Sequence, residues 1–210
     1  MDLQLLAQSV FDGDDTQTIT LCERLLAEGE TPVRILDEGL VHGLTLAGEG
    51  MEKGDLFLAE VIMAAETFKS GFAVLEPHFK GDVRQVLGKV AIGTVFGDIH
   101  DIGKNLVILM LRAYGFEVHD LGIDVSTNRF VEAIGVHRAD IVGISAELTT
   151  TMVGMRDVVK AIEKAGLRER VKIIVGGPSV TWDYARSIGA DGYGKDCFEA
   201  VVVARKLLGV

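Results

Sequence analysis

The sequence predicts an α+β chain of two domains: a four-helix bundle over residues 1–80, a linker at 81–89, and a doubly wound α/β domain over residues 90–210 with a five-stranded parallel sheet. Three observations carry this. Residues 1 to about 80 repeat apolar positions at helical spacing and contain no strand-like run. The stretch before Val90 is polar and flanked by Gly81 and Gly88. From Val90 onward β-branched runs alternate with helical ones, and 210 residues at 48% hydrophobic can bury a core without staples.

In the bundle, Leu3, Leu6, Val10 and Phe11 keep to one face of a first helix that Gly13 breaks. Asp14-Asp15-Thr16 can cap a second, running to about Gly29. Thr31-Pro32 starts a third, with threonine as N-cap and proline in the first turn. It carries Ile35, Leu36, Leu40, Leu44 and Leu46 and fades over Gly48 to Gly54. A fourth runs from about Ala59 to Phe79, with Val61, Ile62, Ala65, Phe68, Phe72 and Leu75 inward. Phe57-Leu58, just before it, has two readings: closure of the end of the bundle, or an apolar lid over something bound to the second domain.

Strands are expected at Val90 to Phe96, Glu117 to Leu121, Asp140 to Ser145, Val171 to Val175 and about Asp191 to Tyr193, with a last helix from Asp196 to Leu208. Short βα connections make the sheet parallel and cover both faces with helices. Five such units suggest the flavodoxin-like (Rossmann-like) order 2-1-3-4-5, whose switch point lies between strands one and three. Ligands bind there, so the loops after those two strands should face each other.

Cys22 and Cys197 fit no disulfide or metal-ligand spacing, and neither a signal peptide nor a bilayer-length apolar run is present. A cytoplasmic protein is expected. A net charge of -10 with 21 basic residues argues against a nucleic-acid surface, which needs clustered Lys and Arg. Proteins and small molecules remain as partners, with no membrane association.

Three polar clusters fall at the carboxyl ends of adjacent strands. Gly97 to Asn105 should leave the first strand and enter a helix. In it, His100 is a neutral metal donor, Asp98 can accept a hydrogen bond from its other ring nitrogen, and Gly103 leaves room for something bulky against the backbone. A solvated loop with a surface histidine reads equally well. Ser145-Ala146-Glu147-Leu148-Thr149-Thr150-Thr151-Met152 follows the third strand; its hydroxyls could cap a helix, although capping needs only one. Gly176-Gly177 follows the fourth and either gives a ligand access to the backbone or makes a tight turn.

Together these residues resemble the cobalamin-binding proteins, with their D-x-H-x-x-G, S-x-L and G-G motifs. More closely, Gly97 to Asn105, Thr149 to Met152, Val175-Gly176-Gly177 and Gly189 to Gly194 resemble the small corrinoid proteins of methyltransferase systems. Glu52 to Glu60 and Leu75-Glu76-Pro77 are similar to that family's helical cap, so the resemblance spans nearly the whole chain. It implies a cobalamin or related corrinoid bound base-off/His-on. His100 would be the lower ligand of cobalt, Asp98 would accept its second N–H, and Thr151 would complete the relay to solvent. Ser145, Gly176 and Gly177 would line the slot for the nucleotide tail, with Thr149 and Gly103 also at the cofactor, and Phe57 and Leu58 would shield the upper face.

One position departs from the pattern, because Glu147 stands where S-x-L has leucine. Leu148 cannot replace it without inverting the pleat, so Glu147 either binds a polar part of the tail or turns outward. The implied function is a corrinoid methyl carrier, a shuttle subunit and not an enzyme on its own. It takes a methyl group on cobalt(I) from a substrate-specific methyltransferase and passes it to a methyl-acceptor methyltransferase, with a reductive activase as a further partner. A cobalamin-based sensor is the alternative, and such a protein should carry an effector module.

Overall fold

The structure, a computed structural model, describes residues 2–78 and 86–210, apart from the side chain of Glu52. Most of the linker expected at 81–89 therefore lies outside the described residues. The chain divides into two compact units, residues 1–84 and 85–210.

The first unit is helical. Helix α1 (Asp2–Phe11) stops before Gly13, whose φ of +72° suits a residue without a Cβ. Asp14 then caps α2 (Asp15–Ala27) by accepting the Gln17 N–H at 2.9 Å. Thr31 caps α3 (Pro32–Arg34), which runs through a π-helical stretch, Ile35–Val41, into α4 (His42–Lys53). Here the structure differs from the helix expected to fade from Gly48. The pairs Ile35-Leu36, Gly39-Leu40, Gly43-Leu44 and Ala47-Gly48 are all buried. A four-residue repeat drifts by about 40° per step around an α-helix, and underwinding absorbs the drift.

The glycines of that stretch are packing positions. A Cβ at Gly39 would meet Leu6 at 2.4 Å and one at Gly43 would meet the Ala7 carbonyl at 2.3 Å, so α1 lies directly on the backbone. Gly50 likewise seats Leu56, and the helix ends only at Gly54, with φ +82°. Helix α5 (Leu58–Leu75) begins where Glu60 accepts the Phe57 N–H at 2.7 Å. It ends short of the expected Phe79, which lies outside the described residues. Pro77 has no N–H to continue the helical hydrogen bonds, and Glu76–His78 form a 3-10 turn.

The second unit is the expected parallel sheet. Strands β1 (Lys89–Thr94), β2 (Glu117–Asp120), β3 (Ile141–Ser145), β4 (Lys172–Gly176) and β5 (Gly192–Gly194) stand in the order β2-β1-β3-β4-β5. Each boundary falls within two residues of its sequence-based position. Leu87 and Gly88 are already tied in through Leu87 N–H to Gly115 O and Glu117 N–H to Gly88 O, both at 3.0 Å. Helix α6 (Ile102–Ala113) packs against α10 (Cys197–Leu208), and α7 (Thr127–Val136) against α8 (Thr149–Lys164). A short α9 (Trp182–Ser187) precedes β5. The core between sheet and helices includes Phe130, Ile134, Val142, Ile144, Met155 and Ile173. The loops after β1 and β3 therefore meet at the switch point.

Candidate functional site

Beyond β1 the chain turns at Gly97, with φ +80°, and buries the Asp98 carboxylate. Asp98 Oδ1 accepts the His100 backbone N–H at 3.1 Å and lies 2.7 Å from His100 Nδ1. Asp98 Oδ2 accepts the Thr151 hydroxyl at 2.6 Å and the Glu147 N–H at 2.8 Å, with the Leu148 N–H at 3.5 Å. Burial alone would push this carboxyl up. The bonds from Thr151, from the His100 ring and backbone, and from the Glu147 N–H outweigh it and hold Asp98 well below the usual carboxylate range.

An ionised Asp98 can only accept, so the network assigns the proton of a neutral His100 to Nδ1 and leaves the Nε2 lone pair outward. The imidazole is about half exposed, at 48%. The His100 backbone carbonyl accepts the buried Thr94 hydroxyl at 3.0 Å. Around it Phe96, Ile99, Ile102 and Leu148 are exposed, although all four are apolar. Thr151 also lines a groove of about 530 Å³ with Phe96, Asn128, Thr150 and Val153.

The structure thus brings Asp98, His100 and Thr151 together, with Glu147 taking part through its backbone. Several expected details change. The histidine loop ends at Asp101, because α6 starts at Ile102; Gly103 sits in its first turn, and nothing lies within 4 Å of where its Cβ would be. Leu148 is the N-cap of α8 without a side-chain bond, so the hydroxyls of Thr149 and Thr150 do not serve as caps and Thr149 is exposed.

Glu147 and Leu148 lie beyond β3, which ends at Ser145, so the alternation of a pleated strand does not govern them. Ala146 is buried, whereas Glu147 and Leu148 both face outward. Glu147 is therefore not a buried carboxylate; its carbonyl accepts the Ser179 hydroxyl at 2.8 Å. The space beside Gly177 is also taken. Its φ is +133°, and a Cβ there would stand 1.9 Å from the Ala146 carbonyl oxygen. The glycine lets two loop backbones cross and does not open a slot. Ser145 and Gly176 are register partners at the ends of β3 and β4. Phe57 and Leu58 do not close the bundle; both are exposed, Phe57 at 76%.

Sequence reasoning missed Thr94 and Ser179 as supports of the loops, and it missed Asp124. Asp124 Oδ1 accepts the Gly97 N–H at 2.7 Å, and its own N–H donates to the Asp98 carbonyl at 3.0 Å. A lone acidic residue in a Gly-Ile-Asp-Val turn gives no signal of this.

An open α/β sheet with a carboxylate-oriented histidine at its switch point, preceded by a helical unit, defines a cofactor-binding class, and comparison with known proteins identifies it. Residues 88–202 match the B12 binding domain family, and residues 3–76 match a second B12 binding domain family. The chain belongs to the corrinoid proteins built from these B12 binding domains. It is 42% identical over 207 residues to dimethylamine corrinoid protein 2 of Methanosarcina acetivorans, covering 98% of this chain and 95% of that one. A cobalamin-binding protein of Desulfitobacterium hafniense of known structure is 31% identical, with TM-score 0.81 and 98% of each chain covered. The methanol:cobalamin methyltransferase complex of Methanosarcina barkeri matches at 26% identity and TM-score 0.81, over 99% of this chain and 80% of that chain.

Proposed function

We propose that this chain is a methyl-carrying corrinoid protein that holds its cofactor base-off, with His100 Nε2 as the lower ligand of cobalt. The observation that carries the reading is the 2.7 Å contact between Asp98 Oδ1 and His100 Nδ1, which turns the other ring nitrogen into a fixed ligand. Among the described residues no group of three or more His, Cys, Asp and Glu could hold a bare metal ion. A lone oriented imidazole suits a metal whose other positions are filled by a chelate, and the exposed Phe96, Ile99, Ile102 and Leu148 suit the apolar face of a macrocycle.

When bound, the corrinoid supplies a cobalt centre that takes a methyl group from one methyltransferase and yields it to another. The chain orients and shields it. His100, when released from the metal, can take a proton at Nε2, and the ionised Asp98 holds the resulting imidazolium through Nδ1–H. Thr151 braces the far oxygen of Asp98. Ser145, Gly176 and the backbone of Glu147 border the slot for the nucleotide tail, Gly177 sets the backbone crossing beside it, and the open first turn at Gly103 admits the ring. In this reading residues 1–80 are the cap, with Phe57 and Leu58 shielding the upper face of the cofactor, 81–89 are the linker, and 90–210 are the binding domain.

The partners are then a substrate-specific methyltransferase, a methyl-acceptor methyltransferase and a reductive activase. The similarity to a chain of a methanol:cobalamin methyltransferase complex supports a methyltransferase as partner. No helix among the described residues is long and apolar enough to cross a membrane. Cys22 and Cys197 are free and buried, which suits a reducing cytoplasm.

The test is an ultraviolet-visible spectrum of the protein loaded with hydroxocobalamin and desalted, beside His100→Ala. The wild type should retain the corrinoid, and the substitution should change its spectrum. A folded wild type that retains none would overturn the reading.

A further inference from the structure

The loop after β2 touches the histidine loop more closely than anything in the sequence suggests. It is anchored at both ends. Asp120 Oδ1 accepts from the buried Lys104 Nζ at 2.8 Å and from the Gly122 N–H at 2.9 Å. At the far end the Val125 N–H donates to Thr94 O at 2.9 Å, and Val125 bridges to Val95 in parallel. Between these anchors Asp124 adopts φ +51°, the left-handed region that only glycine, asparagine and aspartate enter cheaply.

That conformation makes two bonds at once. The Asp124 carboxylate takes the Gly97 N–H at 2.7 Å while the Asp124 N–H holds the Asp98 carbonyl at 3.0 Å. The peptide groups on either side of the Gly97–Asp98 turn are thereby gripped from one residue. This is the turn that aims the Asp98 side chain at His100 Nδ1. Asp124 itself is exposed, so water can replace its carboxylate at the Gly97 N–H with little loss of stability. Water cannot restore the direction of the turn.

We infer that Asp124 is a positioning residue for the cofactor ligand: it clamps the Gly97–Asp98 turn so that Asp98 presents His100 Nε2 to the metal. This rests on the function proposed above. Asp124→Asn keeps both a side-chain oxygen and tolerance of positive φ. Asp124→Gly keeps the φ and the backbone N–H bond to the Asp98 carbonyl but removes the carboxylate acceptor, and therefore isolates the side-chain half of the clamp from backbone strain.

Two readouts test it. In the protein without cofactor, nitrogen resonances of labelled histidine report the His100 tautomer. Wild type and Asp124→Asn should hold the proton at Nδ1, and Asp124→Gly should show a mixture. In protein carrying nitrogen-15 histidine, loaded with hydroxocobalamin and reduced by one electron, the paramagnetic resonance lines of cobalt should be split into doublets by His100. Asp124→Gly should lose the doublet while Asp124→Asn retains it, and all three should melt at similar temperatures.

An Asp124→Gly protein with the wild-type tautomer and the wild-type doublet overturns the inference. So does an Asp124→Asn protein that behaves like the glycine variant. If the wild type retains corrinoid without the doublet, the ligand assignment fails, and the tautomer measurement alone then decides whether the clamp exists.

Discussion

The Thr151 hydroxyl and the Asp98 carboxylate meet at 2.6 Å across 53 residues of sequence, joining the loop after β1 to the first turn of α8. Thr151→Val keeps the shape of the side chain but removes one donor from a buried, ionised acceptor. The loss should cost about 1–3 kcal/mol. Thr151→Ser should recover most of it. Chemical denaturation of the two variants beside wild type checks this, and equal stability of all three would mean the bond carries no weight.

Glu147 contributes backbone groups: its N–H serves Asp98, and its carbonyl serves Ser179. Glu147→Leu should therefore change stability by no more than about 0.5 kcal/mol and leave hydroxocobalamin retention intact. Glu147→Pro removes the N–H, and should destabilise by about 1–3 kcal/mol. Loss of cofactor in the leucine variant would instead give the carboxylate a direct role.

Two glycines at the site should respond oppositely. Gly177→Ala forces a methyl group onto the Ala146 carbonyl at a φ of +133°, and should cost roughly 3 kcal/mol or more. Gly103→Ala adds a methyl group to an open helical turn, and should stabilise the cofactor-free protein by up to about 1 kcal/mol. It should also weaken corrinoid retention, since the methyl group occupies the space left for the ring. Melting curves and desalting of loaded protein separate the two effects.

The rings of His119 and His137 stack with centroids 4.0 Å apart. His119 Nε2 lies 2.9 Å from Glu117 Oε1, and Glu117 Oε2 pairs with Lys89 at 2.8 Å. Partial burial, then the His119 and Arg129 charges, hold His137 below the usual imidazole value against the pull of Glu117. A depressed folded value means the unfolded chain takes the proton first. This contribution to stability is full above the unfolded value of about 6.5 and is lost as pH falls toward the folded one. Between neutral pH and mildly acidic pH the wild type should lose more melting temperature than His137→Asn. Parallel losses would place the titration elsewhere.

Much of this fold could be read from local pattern. The alternation of apolar strands with short helical segments leaves few ways to wind a sheet, and five βα units suggested the flavodoxin-like order β2-β1-β3-β4-β5 that the structure has. Asp98 and His100 were legible for a similar reason: they are two residues apart, and a tight turn at a strand end brings such a pair into contact. Caps at Asp14 and Thr31 are local chemistry as well.

Features that depend on a distant partner could not be read in the same way. In the sequence the π-helical stretch Ile35–Val41 is simply part of a third helix, and the seating of α1 on Gly39 and, just beyond it, Gly43 is visible only in the structure. Gly176-Gly177 left ligand access and a tight turn both open, and only the approach of the Ala146 carbonyl shows that backbone fills the space beside Gly177. The pleat argument at Glu147 assumed a strand that stops two residues earlier, where the chain turns to deliver its N–H to Asp98.

By itself, then, the sequence determined the fold class, the switch point and the histidine with its carboxylate, because period and short-range spacing are properties of neighbouring residues. Thr151 entered with the family resemblance; the tertiary structure alone decided that the backbone of Glu147 serves the Asp98 carboxylate and that Asp124 grips the turn before it. These groups reach the Asp98 turn from other parts of the chain, and hydrogen bonds form between whatever donors and acceptors the folded chain brings within about 3 Å, however far apart they lie in sequence.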